Sequence, residues 1–421
     1  MNPSRPLPSN GPLPHLVSRH FEEASFLWHL RRRAIRAPHY TLHDLERLDE
    51  RIEAHVDGLR LASEATDAVL EEAQPLSEAG EVFVAATLAL DGGCIDRLSS
   101  LLPLAGESES MLEAMVSALS WLPWSRVGKS LERLRGEEDP LLCQLVLAGY
   151  AAHRREAGAT LQRALASTHP GLRSRALRSV GEQGHRELLP LIKPSLASKD
   201  EGCAHAAAAT CLLSGERTAI SALRILAEQG GPHATEAGCL ALRRMERAEA
   251  RRWLMGFTER PEHSRFALAG SAALGDVFFI PWVLRMMRTP EFARAAGAAF
   301  RTITGADLSE RPLRAPAPEV EEDDEATELD DDTDLPWPAP DAVADWWAER
   351  TGGFPPEARY LLGRPMTQAS LEEVLRLGQQ RERGSAALEL VLRSPGQPLF
   401  DIGAPAFRQR RWLAESQPST G

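Results

Sequence analysis

The feature that most constrains this chain is a series of helix-ending signals that recur about every 30 residues. Segments rich in alanine and leucine end repeatedly in an apolar residue followed by glycine or an equivalent residue. The eight positions are Gly92, Leu122, Gly149, Gly181, Gly215, Met245, Gly275 and Gly305. Because glycine accepts the left-handed conformation that ends a helix, the series predicts regularly spaced helix C-termini.

A second apolar segment follows each of these positions, such as RELLPLIKPSLAS after Gly181, TAISALRILAE after Gly215 and EARRWLMGFTE after Met245. Two helices of about 12 residues with two short turns account for the period. One such pair cannot bury its own apolar face, so neighbouring pairs must share a core. The pattern is typical of HEAT-type repeats and predicts an all-α fold: a HEAT-like helical-repeat solenoid with an N-terminal helical pair and a C-terminal helical cap.

Proline content, charge and apolar periodicity divide the chain further. Proline-rich and acidic stretches without periodic apolar residues favour disorder, whereas periodic stretches favour helices. Within the last region, Asp341 and Thr367 are predicted helix N-caps. We expect a disordered tail (1–14), an N-terminal helical region (15–75), the repeat array (76–308), a proline-rich acidic linker (309–340) and a C-terminal helical region (341–421).

The formal net charge of −12 belongs almost entirely to one stretch. From Glu319 to Asp334 the chain has eleven acidic residues and no basic one, so the remainder is nearly neutral. An acidic chain without a segregated basic face argues against nucleic acid as a partner. The acidic run is either a solvated spacer or a peptide that docks on a basic partner or folds back on the array.

Targeting and membrane signals point to the cytoplasm. The sequence MNPSRPLPSNGPLP has no apolar stretch typical of a secretory signal, and no run of 18 apolar residues occurs. The five cysteines form no CxxC pair, which favours reduced, buried thiols. We therefore expect a cytoplasmic protein that does not bind membranes.

The common motifs that carry chemistry do not occur in this sequence. It has no GxGxxG or Walker phosphate loop, no HExxH zinc signature and no GxSxG nucleophile elbow. His39 and His43 are four residues apart, but the break at Pro38 and the cap at Thr41 separate them. The sequence therefore predicts no catalytic residue, no metal site, no cofactor and no small-molecule substrate.

Two groups of arginines and one group of tryptophans are candidates for contact with a partner. The arginines of the first group end a predicted helix, where positive charge also complements the helix dipole. The tryptophans follow the acidic run, and exposed tryptophans often anchor a partner, although core packing is the default reading. The candidates are Arg31, Arg32, Arg33 and Arg36; Arg408, Arg410 and Arg411 beside Trp412; and Trp337, Trp346 and Trp347.

Several blocks of the sequence resemble a known family. HFEEASFLWHLR, LHDLERLDERIEAHVDGLRLA and GEVFVAATLAL near one end, and AAFRTITGADL, RYLLGRP, LGQQRERGSAALELVL and LFDIGAPAFRQRRWL towards the other, are similar to blocks of a proteobacterial family of HEAT-repeat proteins of unassigned function. Genes of that family typically lie near type VI secretion genes. The resemblance implies a cytoplasmic accessory role in secretion and carries over no catalytic residue.

Three functions are compatible with these observations. The first is a protein-interaction scaffold, such as an adaptor or chaperone whose partner is a secretion effector, an adaptor or an apparatus component, since the extended surface of a solenoid suits protein partners. The second is an enzyme, because HEAT-like arrays resemble those of phycobilin lyases and alkylpurine DNA glycosylases. The third is an immunity protein that neutralises a toxin.

Overall fold

The computed structural model describes residues 13–62, 64–72, 76–318 and 332–415, and within them the fold is all-α apart from one short hairpin. Most of the predicted tail (1–12) and most of the acidic run (319–331) lie outside the described residues. The chain forms two compact units. Unit 1 comprises Met1–Arg36, Leu42–Ala166 and Gly403–Gly421, and unit 2 comprises Ala37–Thr41 and Ser167–Ile402.

The helices are numbered in chain order. The first ten are α1 (Pro14–Ala34), α2 (Leu42–Ala62), α3 (Glu64–Glu72), α4 (Ala79–Asp91), α5 (Ile95–Ser100), α6 (Leu102–Glu107), α7 (Glu109–Trp121), α8 (Trp124–Leu134), α9 (Pro140–Ala152) and α10 (Ala159–Leu165). The others are α11 (Pro170–Gln183), α12 (Leu189–Ile192), α13 (Glu201–Leu213), α14 (Ala219–Gln229), α15 (Ala234–Arg244), α16 (Arg247–Thr258), α17 (Ser264–Leu274), α18 (Ile280–Met286), α19 (Ala293–Thr304), α20 (Pro340–Arg350), α21 (Gln368–Leu377), α22 (Gln380–Arg393) and α23 (Ala406–Glu415). Short 3-10 helices lie at Arg186–Leu188, Lys193–Ala197, Pro261–His263, Val277–Phe279 and Thr351–Gly353.

One antiparallel hairpin is the exception to the helical fold. Its strands are β1 (Tyr360–Leu361) and β2 (Arg364–Pro365). Tyr360 pairs with Pro365, and Leu361 pairs with Arg364.

In unit 1 the predicted N-terminal helical pair forms as α1 and α2, which pack on each other. Helix α1 also packs on α4, α4 on α7, and α7 on α9. The buried face of α1 carries Phe21 and Leu27, and the ring of Trp28 stacks on Phe83 of α4 with centroids 5.7 Å apart. These apolar contacts build the core of the unit.

Unit 2 is built on five helices that pack each on the next, α11, α13, α15, α17 and α19, which we call the row helices. Helices α14, α16 and α18 each pack on the row helix that follows them. Small residues line these contacts, as in α13, where Ala206, Ala207 and Ala208 are buried. Alanine lets helix backbones approach closely, which explains the alanine-rich segments in the sequence.

The predicted helix C-termini are confirmed. Gly92, Leu122, Met245, Gly275 and Gly305 directly follow α4, α7, α15, α17 and α19, and Gly215 lies two residues after the end of α13. Gly149 and Gly181 fall in the last turn of α9 and α11. Gly275 and Gly305 adopt φ values of +66° and +73°, the left-handed conformation expected of a glycine helix end.

Two local predictions differ from the structure. The segment after Gly181 does not form one continuous helix. It consists of a 3-10 helix, the four-residue α12 and a second 3-10 helix. Pro190 and Pro194 interrupt a longer helix because proline has no backbone N–H to donate. Asp341 is not an N-cap, since α20 begins at Pro340 after Ala339. The cap at Thr367 is confirmed, and its hydroxyl accepts from the backbone N of Ser370 at 3.2 Å.

The two flanks of the predicted linker also differ from the expected disordered spacer. The backbone N of Ala315 donates to the carbonyl of Trp337 at 2.9 Å, and Ala339 donates to Leu313 at 2.8 Å. Leu313 is buried in the core of unit 2. Residues 313–315 and 337–339 therefore pair with each other. Charge and proline content do not indicate this pairing, because it depends on the burial of apolar residues such as Leu313.

Candidate functional site

The carboxyl ends of the row helices in unit 2 are covered by later residues of the same chain. We call residues 354–402 the return segment. The backbone N of Tyr360 donates to the carbonyl of Gly275 at 2.7 Å, and that of Leu362 donates to Thr302 at 2.7 Å. Helix C-termini present carbonyls that lack partners within the helix. The return segment satisfies them, so this edge of the row is occupied by the chain itself.

One buried arginine of the return segment joins two helix ends. The Arg359 guanidinium donates to the carbonyls of Leu274 at 2.7 Å and Ala273 at 3.0 Å, at the end of α17, and to that of Arg243 at 3.2 Å in α15. It also donates to Glu389 Oε1 at 2.7 Å, to which Arg243 donates at 3.0 Å.

Glu389 is the acidic centre of this network and is 2% exposed. Burial acts to raise the pKa of its carboxyl, but the charges and hydrogen bonds of Arg359 and Arg243 hold the pKa below its usual value. The carboxylate is therefore ionised at neutral pH and compensates two largely buried guanidinium groups.

In unit 1, Arg31 lies in the interior. It is 6% exposed, forms an ion pair with Asp49 and donates to the carbonyls of Gly403 and Ala404, both at 3.1 Å. The sequence left both a structural role and a partner contact open for this residue. The geometry favours the structural role, because Arg31 holds the start of the carboxyl-terminal piece of unit 1.

The other arginines of the first patch lie on the surface. Arg32 pairs with Glu113, and both side chains are about 40% exposed. Arg33 and Arg36 are exposed, and each has an interaction within the chain. Partner contact stays a prediction for these three residues.

The second patch divides in the same way. Arg408 is 3% exposed and donates to the carbonyls of Ala152 at 3.1 Å and Leu122 at 3.3 Å, which lie at the ends of α9 and α7. Trp412 is 6% exposed, and the guanidinium of Arg154 lies 3.8 Å from its ring centroid. Both residues therefore dock α23 within unit 1.

Arg410 and Arg411 remain accessible on α23. The first pairs with Glu46 at 2.8 Å and the second with Glu415 at 3.6 Å, and each side chain is at least half exposed. Exposed ion pairs contribute little to stability, so both guanidinium groups stay candidates for a partner contact.

The three tryptophans pack on unit 2. Trp346 and Trp347 place their ring centroids 5.8 Å and 6.2 Å from that of the buried Phe300. The guanidinium of Arg294 lies 5.5 Å from the ring centroid of Trp337. All three are half-buried, so core packing is favoured over partner anchoring.

His153 makes the stability of unit 1 dependent on pH. Its Nε2 donates to the carbonyl of Leu119 at 3.0 Å, and burial followed by the charge of Arg408 lowers its pKa to about 4. The native state keeps this imidazole neutral while the unfolded chain binds a proton near pH 6.5. Stability therefore falls as the pH falls from about 6.5 to about 4, by roughly 3 kcal/mol from this residue.

We expect His153→Gln, which keeps a neutral donor, to flatten this part of the pH profile of unfolding. The measurement is urea denaturation of both proteins at a series of pH values between neutral and about 4. If the two proteins lose stability in parallel, the native imidazole is protonated over this range and the assignment is wrong.

A groove at α14 and α16 is a candidate site that none of the sequence motifs indicates. It encloses about 370 Å³ and is lined by Glu228, Arg252, Trp253, Gly256, Phe257, Arg260 and His263. The indole N of Trp253 donates to Glu228 at 2.7 Å, which fixes the ring, and the centroid of Phe257 lies 5.2 Å from that of Trp253. Two aromatic rings in edge-to-face contact thus line the groove.

Charged side chains flank these rings. The guanidinium of Arg224 lies 5.3 Å from the ring of Trp253 and forms an ion pair with Glu249 at 2.7 Å. Arg252 and Arg260 are exposed, and Arg252 interacts electrostatically with Glu246. The groove therefore has the chemistry to accept an apolar side chain against the rings and a carboxylate at the arginines.

A second cluster offers ligands of the kind that metals use. His205 of α13, His233 directly before α15 and Glu236 in the first turn of α15 place one ligand atom each within 4.8 Å of one another. The two imidazole rings are parallel, with centroids 4.6 Å apart. His205 Nε2 and Glu236 Oε2 are 3.7 Å apart.

Both sites escape sequence patterns for understandable reasons. Trp253 and Phe257 lie four residues apart in the segment EARRWLMGFTE, and this spacing is equally typical of a buried helix face. His205 and His233 are 28 residues apart, so no short metal motif contains them. Arg252 and Arg260 flank the aromatic pair in the sequence, and this arrangement could have indicated the groove. No comparable sequence pattern indicates the metal cluster.

Among the described residues, no helix combines the length and the apolar character that a membrane span requires. Comparison with models of known protein families, with curated proteins and with solved structures gave no match.

Proposed function

We propose that the chain is a protein-binding scaffold that holds an acidic, apolar segment of a protein partner in the α14–α16 groove. The observation that carries this function is the placement of the exposed Arg252 and Arg260 beside the rings of Trp253 and Phe257. Aromatic residues and arginine are the side chains most enriched where proteins bind each other.

The contacts of the row helices support a HEAT-like repeat architecture for this scaffold. Successive row helices pack side by side and alternate along the chain with α14, α16 and α18. Such arrays leave one helix layer open to partners. In unit 2 the return segment binds the ends of the row helices, and the outer faces of α14 and α16 carry exposed apolar side chains. Ile225 and Met255, on these two helices, are 53% and 40% exposed.

The proposed cellular role is that of a cytoplasmic accessory of type VI secretion, acting as an adaptor or chaperone. Its support is the resemblance of the sequence blocks at both ends of the chain to the HEAT-repeat family encoded near such genes. The partner would then be a secretion effector, another adaptor or a component of the apparatus. The enzyme and immunity alternatives stay hypotheses, since no described contact favours either of them.

A selection with a displayed random-peptide library tests the binding chemistry of the groove. We expect the purified chain to enrich peptides that combine carboxylates with a large apolar side chain. The double variant Arg252→Ala/Arg260→Ala should bind the selected peptide at least about tenfold more weakly, because two charge-assisted contacts are lost. Arg376→Ala, an exposed arginine on α21, is the matched control and should leave the affinity unchanged.

Two results would overturn this function. One is enrichment of peptides whose affinity does not change in the double variant. The other concerns the acidic run of the chain itself. Deletion of residues 319–331 could increase the affinity for the selected peptide, and a synthetic peptide of residues 319–334 could compete for the groove. Both results together would show that the acidic run occupies the groove and that no partner is needed.

A further inference from the structure

We propose that His205, His233 and Glu236 form a binding site for a divalent transition-metal ion, with Zn²⁺ the ion that best matches the ligands. The site is separate from the groove and does not depend on the proposed function. Two imidazoles and one carboxylate, with a position left open for water or a further donor, are a common ligand set for Zn²⁺.

The state of His205 is the strongest observation. The residue is 7% exposed, and within the described residues its Nε2 has no hydrogen-bond partner. Glu236 Oε2 lies 3.7 Å away, beyond hydrogen-bond distance. A buried ring nitrogen without a partner costs free energy, and a metal ion would satisfy it.

The other two ligands come from one helix start. His233 directly precedes α15, and Glu236 follows three residues later, a spacing that places both side chains on the same side of the first turn. The three ligand atoms already lie within 4.8 Å of one another. Zinc bonds to nitrogen and oxygen are about 2.0–2.2 Å long, so ligands of one ion lie within about 4.4 Å of one another. A bound ion lies near the plane of each imidazole, so binding requires the ring of His233 to rotate out of its parallel stack on His205.

A second carboxylate fixes the position of His233. Glu201, in the first turn of α13, accepts from the backbone N of His233 at 3.3 Å. Its carboxylate lies against Gly231, where φ is +99° and an added Cβ would come within 2.7 Å of the Glu201 oxygen. The turn before α15 is thus held against α13 by a backbone contact outside the ligand set.

The cluster is open to solvent on one side. The side chain of Glu236 is 67% exposed, which gives an ion a route from solvent to the buried nitrogen.

The test is a titration of the full chain with Zn²⁺ after treatment with a chelator and removal of that chelator. We expect one equivalent to bind per chain, measured by calorimetry and by competition with a chromophoric chelator. His233→Ala and Glu236→Gln each remove a direct ligand. They should weaken binding by more than the roughly 10–100-fold that follows loss of an outer-shell partner. Co²⁺ should give visible absorption bands in the wild-type chain and lose them in His233→Ala.

The matched control is His185→Ala in the same unit. His185 lies 3.2 Å from Glu187 but has no second histidine in its cluster, so this variant should bind Zn²⁺ like the wild type. The cluster is a packing contact and not a metal site if the wild type binds less than one equivalent, or if His233→Ala and His185→Ala bind equally well. His233 is half-buried and Glu236 exposed, so neither variant requires replacement of the buried His205.

Discussion

Replacing Glu389 with alanine is expected to lower the free energy of unfolding by about 3–5 kcal/mol, the usual effect of removing one partner of a buried ion pair. Glu389 is 2% exposed and accepts from Arg359 at 2.7 Å and from Arg243 at 3.0 Å. Its loss leaves both cations without the carboxylate that compensates them. Urea denaturation of the variant and the wild type at neutral pH measures the difference.

The pH dependence of the same network has a definite sign. The arginines hold the native pKa of Glu389 below its ordinary value of 4.5, so its contribution is complete above that value and is lost as the pH falls through the lower native pKa. Glu372→Ala, an exposed glutamate on α21, is the control and should change stability by less than about 0.5 kcal/mol. A Glu389→Ala variant as stable as this control would show that the network does not hold the return segment.

Gly275→Ala is expected to destabilise unit 2 by at least about 2 kcal/mol. The left-handed backbone at φ +66° costs roughly 1–2 kcal/mol for any residue with a Cβ. An added Cβ would also lie 2.4 Å from the carbonyl oxygen of Tyr360, so the return segment would have to shift. Gly305→Ala should act alike, since its Cβ would lie 2.6 Å from the carbonyl oxygen of Leu362.

Gly256→Ala provides the contrast to these two variants. Gly256 lies within α16, and an added Cβ there has no neighbour within 4 Å in the described structure. Alanine should stabilise that helix by up to about 1 kcal/mol. Thermal or urea denaturation of the three variants separates the two cases. Equal effects at all three positions would contradict both the left-handed backbone at Gly275 and Gly305 and the close packing of the return segment on them.

The helix ends illustrate what a sequence of this kind can and cannot predict. Glycine at Gly275 and Gly305 is a local signal, and the helix termination it predicts is confirmed. The sequence does not show the second reason for glycine at these positions, which is the close approach of Tyr360 and Leu362. These residues lie 85 and 57 positions further along the chain. The cap at Thr367 is predictable for the same reason as the glycines: the partner of its hydroxyl is three residues away.

The basic patches show the limit of pattern alone. Arg31 and Arg32 are neighbours in the sequence, yet one is buried on Asp49 and the other is exposed beside Glu113. A helix turns by roughly 100° per residue, so adjacent arginines point into different surroundings. Which of them faces the core depends on Gly403 and Ala404, whose carbonyls Arg31 binds from the opposite end of the chain.

Hydrogen–deuterium exchange of the full chain, with and without a saturating amount of the selected peptide, most directly tests whether the α14–α16 groove is the binding surface. The predicted result is slower exchange confined to α14, α16 and the turn at Pro261–His263, with no such change in the Arg252→Ala/Arg260→Ala variant. Protection that lies instead in the return segment or in unit 1, or that is the same in the double variant, would contradict this assignment.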